Sequence, residues 1–210
     1  MFKNRIEAGE NLAEKLAALN LEKPYLLAIP RGGIVVAQPI AEKLGLSVGV
    51  LITRKIGHPL NPEVAIGAVM PDGTAVLDEA AAERLGLDDN RLSELVSEQY
   101  QEIKRRLIAY TGTERIANVS GKTIVLVDDG IATGYTIYAA VQWLKTLTPG
   151  KIIIAVPVAP PDVAANLSKQ VDTVICPIQP YDFMAVGQYY QDFSQTSDQE
   201  VVDILTEVGN

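Results

Sequence analysis

The chain is poor in reactive side chains: its 210 residues hold one cysteine, one histidine and one tryptophan. With Cys176 alone, an intrachain disulfide and a multi-thiolate metal site are excluded. Its surroundings, Thr173-Val174-Ile175-Cys176, read as a buried strand in which a reduced thiol acts as a small hydrophobe. Positive charge is also scarce. The 18 Lys and Arg face 26 Asp and Glu, a net charge of −8, which argues against a nucleic-acid or anionic-membrane binder that needs clustered cations. No apolar run reaches the length of a membrane span. The opening Met1-Phe2-Lys3-Asn4-Arg5 leads into an amphipathic helix rather than a signal-peptide core, so a cytoplasmic protein is expected.

What is present describes an ordinary globular chain, 48% hydrophobic and 21% charged, with length for one α/β domain. Helical spacing runs from Arg5 to Leu19, from Ile34 to Leu44, from Leu92 to Leu107, from Ile137 to Leu147 and from Pro161 to Lys169. A final helix is expected near Asp198 to Val208. Short apolar strands read at 25–29, 48–53, 124–127, 151–158 and 171–176, with two more at 65–70 and 74–77 around the turn Pro71-Asp72-Gly73. Alternating strands and helices predict a mostly parallel sheet covered by helices on both faces. A single domain over 1–210 is expected, with a core at about 21–176 and a small hood or C-terminal segment at about 177–210.

The densest information lies in Ile124-Val125-Leu126-Val127-Asp128-Asp129-Gly130-Ile131-Ala132-Thr133-Gly134-Tyr135-Thr136. A β-branched run ends in two carboxylates, and a small-residue loop then opens a helix. The first amides of a helix lack internal partners and its dipole favours negative charge, so the loop is suited to a phosphate. Paired carboxylates accept hydrogen bonds and suit a vicinal diol. The plainer alternative is a polar turn with a helix cap.

This stretch resembles the phosphoribosyl pyrophosphate (PRPP) motif of the type I phosphoribosyltransferases. Together with Arg5, Pro30-Arg31-Gly32-Gly33, Asn61-Pro62-Glu63 and the aromatic C-terminal segment, it is similar to a bacterial group of predicted phosphoribosyltransferases of undefined substrate. The resemblance implies that Asp128 and Asp129 hold the ribose 2- and 3-hydroxyls. It also implies that Gly130, Ile131, Ala132, Thr133, Gly134, Tyr135 and Thr136 wrap the 5-phosphate. Mg2+ would bridge substrate oxygens, with Asp128 or Asp129 in its outer shell. The activity implied is transfer of phosphoribose from PRPP to a nitrogenous base with release of pyrophosphate, by a protein that forms a homodimer. A PRPP- or nucleotide-binding regulator with little catalysis is the alternative, and a hydrolase of a phosphorylated nucleoside is a third reading.

Pro30-Arg31-Gly32-Gly33 follows a strand and opens a helix, so it would share the ligand edge of the sheet. Its glycines allow close approach of backbone amides and Arg31 adds a charged fork. It resembles the family's pyrophosphate loop, which often holds a non-proline cis peptide, and so Arg31, Gly32 and Gly33 are candidate pyrophosphate ligands. The alternative is a glycine turn with a solvated arginine. The breaker-rich Arg54–Glu63 reads as a mobile loop over that edge, with Arg54, Lys55 and His58 as candidate catalytic groups toward departing pyrophosphate. A lone histidine is as readily structural. The family's purine enzymes often place an acid where this chain has Ala132, a departure toward the adenine, uracil or orotate pattern, although a small residue there also suits loop packing. Gln179–Phe193 forms either a hood over the base, with Asp182 or Asp192 reading amino groups, or a staple to the core or a partner.

Overall fold

The computed structural model describes residues 1–58, 61–114 and 118–208, with the backbone alone at His58, residues 61–65 and Glu79. The chain opens with α1 (Arg5–Ala17), β1 (Pro24–Ala28), α2 (Gly32–Leu44) and β2 (Val48–Val50). It continues with β3 (Arg54–His58), β4 (Asn61–Val69), β5 (Ala75–Leu77), α3 (Glu79–Arg84) and α4 (Asp89–Thr111). The last third contains β6 (Thr123–Val127), α5 (Tyr135–Thr146), β7 (Lys151–Ala155), α6 (Pro161–Ser168), β8 (Thr173–Ile175) and α7 (Asp198–Val208). These elements fall into two compact units, 1–51 with 117–210 and 52–116. The boundaries cut through the range read as one core, and the C-terminal segment belongs to the first unit.

In the first unit, five strands form a parallel sheet in the order β2-β1-β6-β7-β8, the mostly parallel α/β architecture expected. All five side chains of β6 are buried. Successive strand residues point to opposite faces, so both faces of the sheet are covered there. Ala28 pairs with Val127 and Val127 with Ala155. The three central strands therefore stop at one level, and the loops after them emerge along one edge. Helix α2 packs on β1, β2 and β6, while α1 and α7 pack on α2. β8 is an edge strand and only half-buried. Cys176 just beyond it is likewise half-buried, not in a covered strand, and donates from Sγ to the Ile178 carbonyl at 3.3 Å.

The two chain ends pair with each other in the same unit. The Phe2 N–H donates to the Tyr189 carbonyl at 2.8 Å, and the Gln191 and Asp192 N–H groups donate back to Phe2 and Lys3. Asn4 caps α1, its side chain accepting from the Glu7 N–H at 3.0 Å, which makes Arg5 the first helical residue.

The second unit is an antiparallel sheet, β3-β4-β5, with α4 packed on β3 and β4. The expected mobile loop at Arg54–Glu63 is therefore a hairpin: Arg54 pairs with Val69, Lys55 with Ala68 and Ile56 with Gly67. Ile56 is buried between exposed Lys55 and half-buried Gly57, so alternation outweighs the breakers, and the register shifts around Gly57. Residues 59 and 60 lie outside the described residues.

The central strand carries the fold's cohesion. Leu126→Ala, at a fully buried site, is expected to cost about 2–5 kcal/mol, read by urea denaturation against wild type.

Candidate functional site

Strand β6 delivers Asp128 and Asp129 at its C-terminal end, and the loop that follows is tied to its neighbours. The Ile131 N–H donates to the Val158 carbonyl at 2.9 Å and the Ile131 side chain is buried. That amide is thus committed to the protein and Ile131 serves as an anchor, whereas Ala132, Thr133, Tyr135 and Thr136 are exposed. Gly134 precedes α5 with φ +79°, a left-handed conformation that glycine adopts without penalty. It leaves the first turn of α5 without a side-chain cap. Among neighbouring loops, the one after β1 brings in the start of α2 at Gly32, also uncapped by any side chain. The Pro30–Arg31 peptide bond is cis. Two helix N-termini thus open along one sheet edge, a favourable setting for anions.

The two loops touch at the carboxylates. A Cβ on Gly32 would overlap Asp129 Oδ2 and come within 2.7 Å of Arg5 Nε, so only glycine fits. A Cβ on Gly33 would lie 3.0 Å from Asp128 Cα. Asp128 Oδ1 accepts the Asp129 N–H at 2.8 Å. Asp129 Oδ2 accepts Arg5 Nε at 2.8 Å, with side-chain exposures of 18% and 11%, too low for the pair to be a screened surface contact. The Tyr190 hydroxyl donates to the Asp129 carbonyl at 2.6 Å.

Electrostatics separate the two acids. Burial and the adjacent Asp129 charge hold Asp128 well above the usual carboxylate range. Burial also raises Asp129, but the Arg5 guanidinium opposes the shift. Charge on the pair therefore resides preferentially on Asp129. Burial pushes the Tyr190 hydroxyl up, which keeps it a neutral donor, and pushes the Cys176 thiol up to about 11, away from nucleophilic use.

Two other expected site residues, Arg31 and Arg54, have protein partners of their own. Arg31 reaches Asp198 at the start of α7, Nη1 to Oδ1 3.6 Å, with its side chain 32% exposed. Arg54 lies on β3 and donates from Nε to Gln99 Oε1 at 3.2 Å within the second unit, and Lys55 is exposed on the same strand. The His58 side chain falls outside the described residues. Asp192 closes a turn, its Oδ1 accepting the Ser194 N–H at 2.9 Å. Among the described residues no cluster of three or more His, Cys, Asp or Glu could cage a metal. Two carboxylates at an edge suited to anions nevertheless fit Mg2+, which keeps several waters and takes few protein ligands.

A cleft of about 640 Å³ adjoins the loop, bounded by Thr133, Tyr135, Pro160, Asp162, Tyr181 and Phe183 among others. The Phe183 ring stacks on Tyr189 at 5.7 Å and 14°. The aromatic segment divides its roles: buried Tyr190 and partly exposed Phe193 pack around Arg5, while Tyr181 is almost fully exposed. Sequence reasoning did not single out Tyr190 or assign Arg5 a role. The available signal was an arginine and a dense aromatic run at opposite chain ends, in a fold whose strands place both near one edge.

A parallel sheet whose loops present two helix starts without side-chain caps beside a carboxylate pair defines an α/β protein with a sheet edge suited to anions. A phosphoribosyl transferase domain model matches residues 3–193. Proteins from two strains of Mycobacterium tuberculosis, each named "putative phosphoribosyl transferase", are 40% identical over 206 residues, covering 98% of this chain and 46% of theirs. The chain thus spans about half the length of these curated relatives. The crystal structure of TT1426 from Thermus thermophilus superimposes with a TM-score of 0.83 at 40% identity, covering 98% of both chains. The Aquifex aeolicus protein AQ2163 shares the fold at a TM-score of 0.52 and 14% identity, over 85% of this chain and 76% of that one. The chain belongs to the phosphoribosyl transferase family. No described helix is long and apolar enough to cross a membrane.

The raised Asp128 value has a stability consequence. The native state therefore binds more protons than the unfolded chain once the pH exceeds the unfolded value of about 3.9, so stability falls as pH rises from there toward the raised native value. Asp128→Asn removes that loss while its amide oxygen still accepts the Asp129 N–H. The variant is expected to melt higher than wild type at pH 7, by on the order of 2–4 °C if about 1 kcal/mol is recovered. The gap should close below about pH 3.5, where the unfolded carboxyl is itself protonated; calorimetric scans at both pH values check this.

Proposed function

We propose that this chain transfers the phosphoribosyl group of PRPP to a nitrogenous base in the cytoplasm. The observation that supports this most strongly is the carboxylate pair set between two uncapped helix N-termini. In this reading Asp128 and Asp129 accept the ribose 2- and 3-hydroxyls. The exposed part of the loop, Ala132 to Thr136, and the α5 amides take the 5-phosphate. The pyrophosphate lies toward Gly32, Gly33 and Arg31 at the start of α2. The base occupies the cleft between Pro160 and Phe183, where ring faces and the Asp162 carboxylate line the wall.

The base nitrogen attacks the anomeric carbon as the carbon–oxygen bond to pyrophosphate breaks, and the departing group carries the electron pair. No described side chain is needed as a covalent nucleophile; positioning and charge complementarity supply the rate. Asp128 and Asp129 would hold Mg2+ through water, and the ion when bound supplies charge neutralisation at the pyrophosphate oxygens. The reading rests on the first unit alone. A homodimer belongs to it, with exposed Tyr181 and Met184 as apolar surface for a partner copy.

Titration calorimetry with Mg2+ and PRPP, followed by a panel of purine and pyrimidine bases, tests this directly. Nucleotide and pyrophosphate are the expected products. Binding without turnover would make the chain a PRPP-sensing regulator, and base release from a nucleotide would make it a hydrolase. The folded double variant Asp128→Asn/Asp129→Asn is expected to bind PRPP at least about tenfold more weakly, because charge-assisted hydrogen bonds contribute about 1.5–3 kcal/mol. Unchanged affinity would remove the diol assignment. Arg31→Ala is expected to weaken PRPP while leaving ribose 5-phosphate nearly unaffected, since the latter lacks pyrophosphate. Equal effects on both ligands, or none, would return Arg31 to a structural role with Asp198.

A further inference from the structure

We infer that Arg5 is a positioning residue for the sugar-binding carboxylates, one that sets selectivity for a ribose with both hydroxyls; the inference rests on the PRPP reading above. Its geometry is over-determined. Nε donates to Asp129 Oδ2 at 2.8 Å and Nη1 to the Ser194 carbonyl at 2.8 Å. The guanidinium lies over the Phe193 ring, 3.9 Å from its centroid. Asn4 fixes where α1 begins and so where Arg5 projects. Phe193 and Ser194 fix the guanidinium plane, and the missing Cβ of Gly32 leaves room for the Arg5–Asp129 pair.

Other acids feel this cation without bonding it. Hydrogen bonds from Ser194 and Ser197 are what chiefly lower Asp192 and Glu200, with the Arg5 charge a smaller contribution. Asp128 is tied to the Asp129 amide. Asp129 alone takes the guanidinium, and its main chain is held at the same time by Tyr190. A carboxylate gripped at both its backbone and one oxygen cannot rotate freely, so it presents a fixed acceptor to a sugar hydroxyl. Arg5 commits its Nε and Nη1 donors and one face of its guanidinium to the protein, and so acts through Asp129.

The test measures binding of PRPP, ribose 5-phosphate, 2-deoxyribose 5-phosphate and inorganic phosphate to wild type, Arg5→Gln and Arg5→Lys, with melting curves alongside. Wild type is expected to prefer ribose 5-phosphate over the deoxy sugar. Arg5→Gln should weaken PRPP and ribose 5-phosphate about tenfold, change inorganic phosphate little, and erase most of that preference. Arg5→Lys should rescue only part, because a lysine donates to Asp129 without the second tie to Ser194. Phe193→Leu, which removes the ring beneath the guanidinium, should give a milder loss in the same order and serves if Arg5→Gln fails to fold. Folded variants that keep wild-type affinity and preference overturn the positioning role while leaving the PRPP reading intact. An equal loss for inorganic phosphate and ribose 5-phosphate also overturns it, by showing general disruption. Wild type that binds neither PRPP nor ribose 5-phosphate ends both readings.

Discussion

Two neighbouring carboxylates stand at the end of a strand whose five side chains are all buried, and that electrostatic burden organises what surrounds them. Burial opposes ionisation, and each charge opposes the other. The fold answers with an arginine on one acid, a backbone amide on the other and a neutral tyrosine hydroxyl on the Asp129 carbonyl. None of these groups is close in sequence to the pair except the amide. The arginine comes from the first helix and the tyrosine from the C-terminal segment, so the two chain ends are drawn to the middle of the sheet. A buried ion pair of this kind is poor evidence for stability, because desolvation offsets much of the attraction. Its retention is better understood as the cost of keeping a charged acceptor at a ligand edge.

The first unit was largely legible because its signals are local. Val125 and Leu126 belong to a run too uniformly apolar for a half-exposed strand, and the Asp128–Thr136 loop joins it to a helix in one continuous stretch. The hairpin at β3 and β4 was not legible. Gly57 and Pro59 dominate that stretch as breakers, while the pairing that makes it a strand depends on residues from Ala65 onward. The half-buried state of Cys176 follows from β8 lying at the sheet edge, and strand order is not written in a strand's own residues.

The site shows the same limit. Asp128, Asp129, Gly32 and Gly33 converge as their positions after neighbouring strands imply. Arg31 does not stand alone at that edge, because α7 supplies Asp198. Ile131 sits inside the expected phosphate loop yet gives its amide to Val158. The aromatic C-terminal segment had two readings, and different residues answer to each: Phe193 lies against Arg5, while Tyr181 faces solvent beside the cleft. Such divisions arise from packing between distant segments.

The pairing of the chain ends also sets an order of events during synthesis. Arg5 leaves the ribosome 189 positions ahead of the Ser194 carbonyl that holds it. At ordinary elongation rates that separation is roughly 10–40 s. Throughout that interval Arg5 lacks its Ser194 partner, and the acid pair, once β6 emerges, lacks its tyrosine. The sheet edge would therefore be assembled before it is electrostatically finished. Maturation of the ligand edge becomes a late, long-range closure, slower to nucleate than the local βα units that precede it.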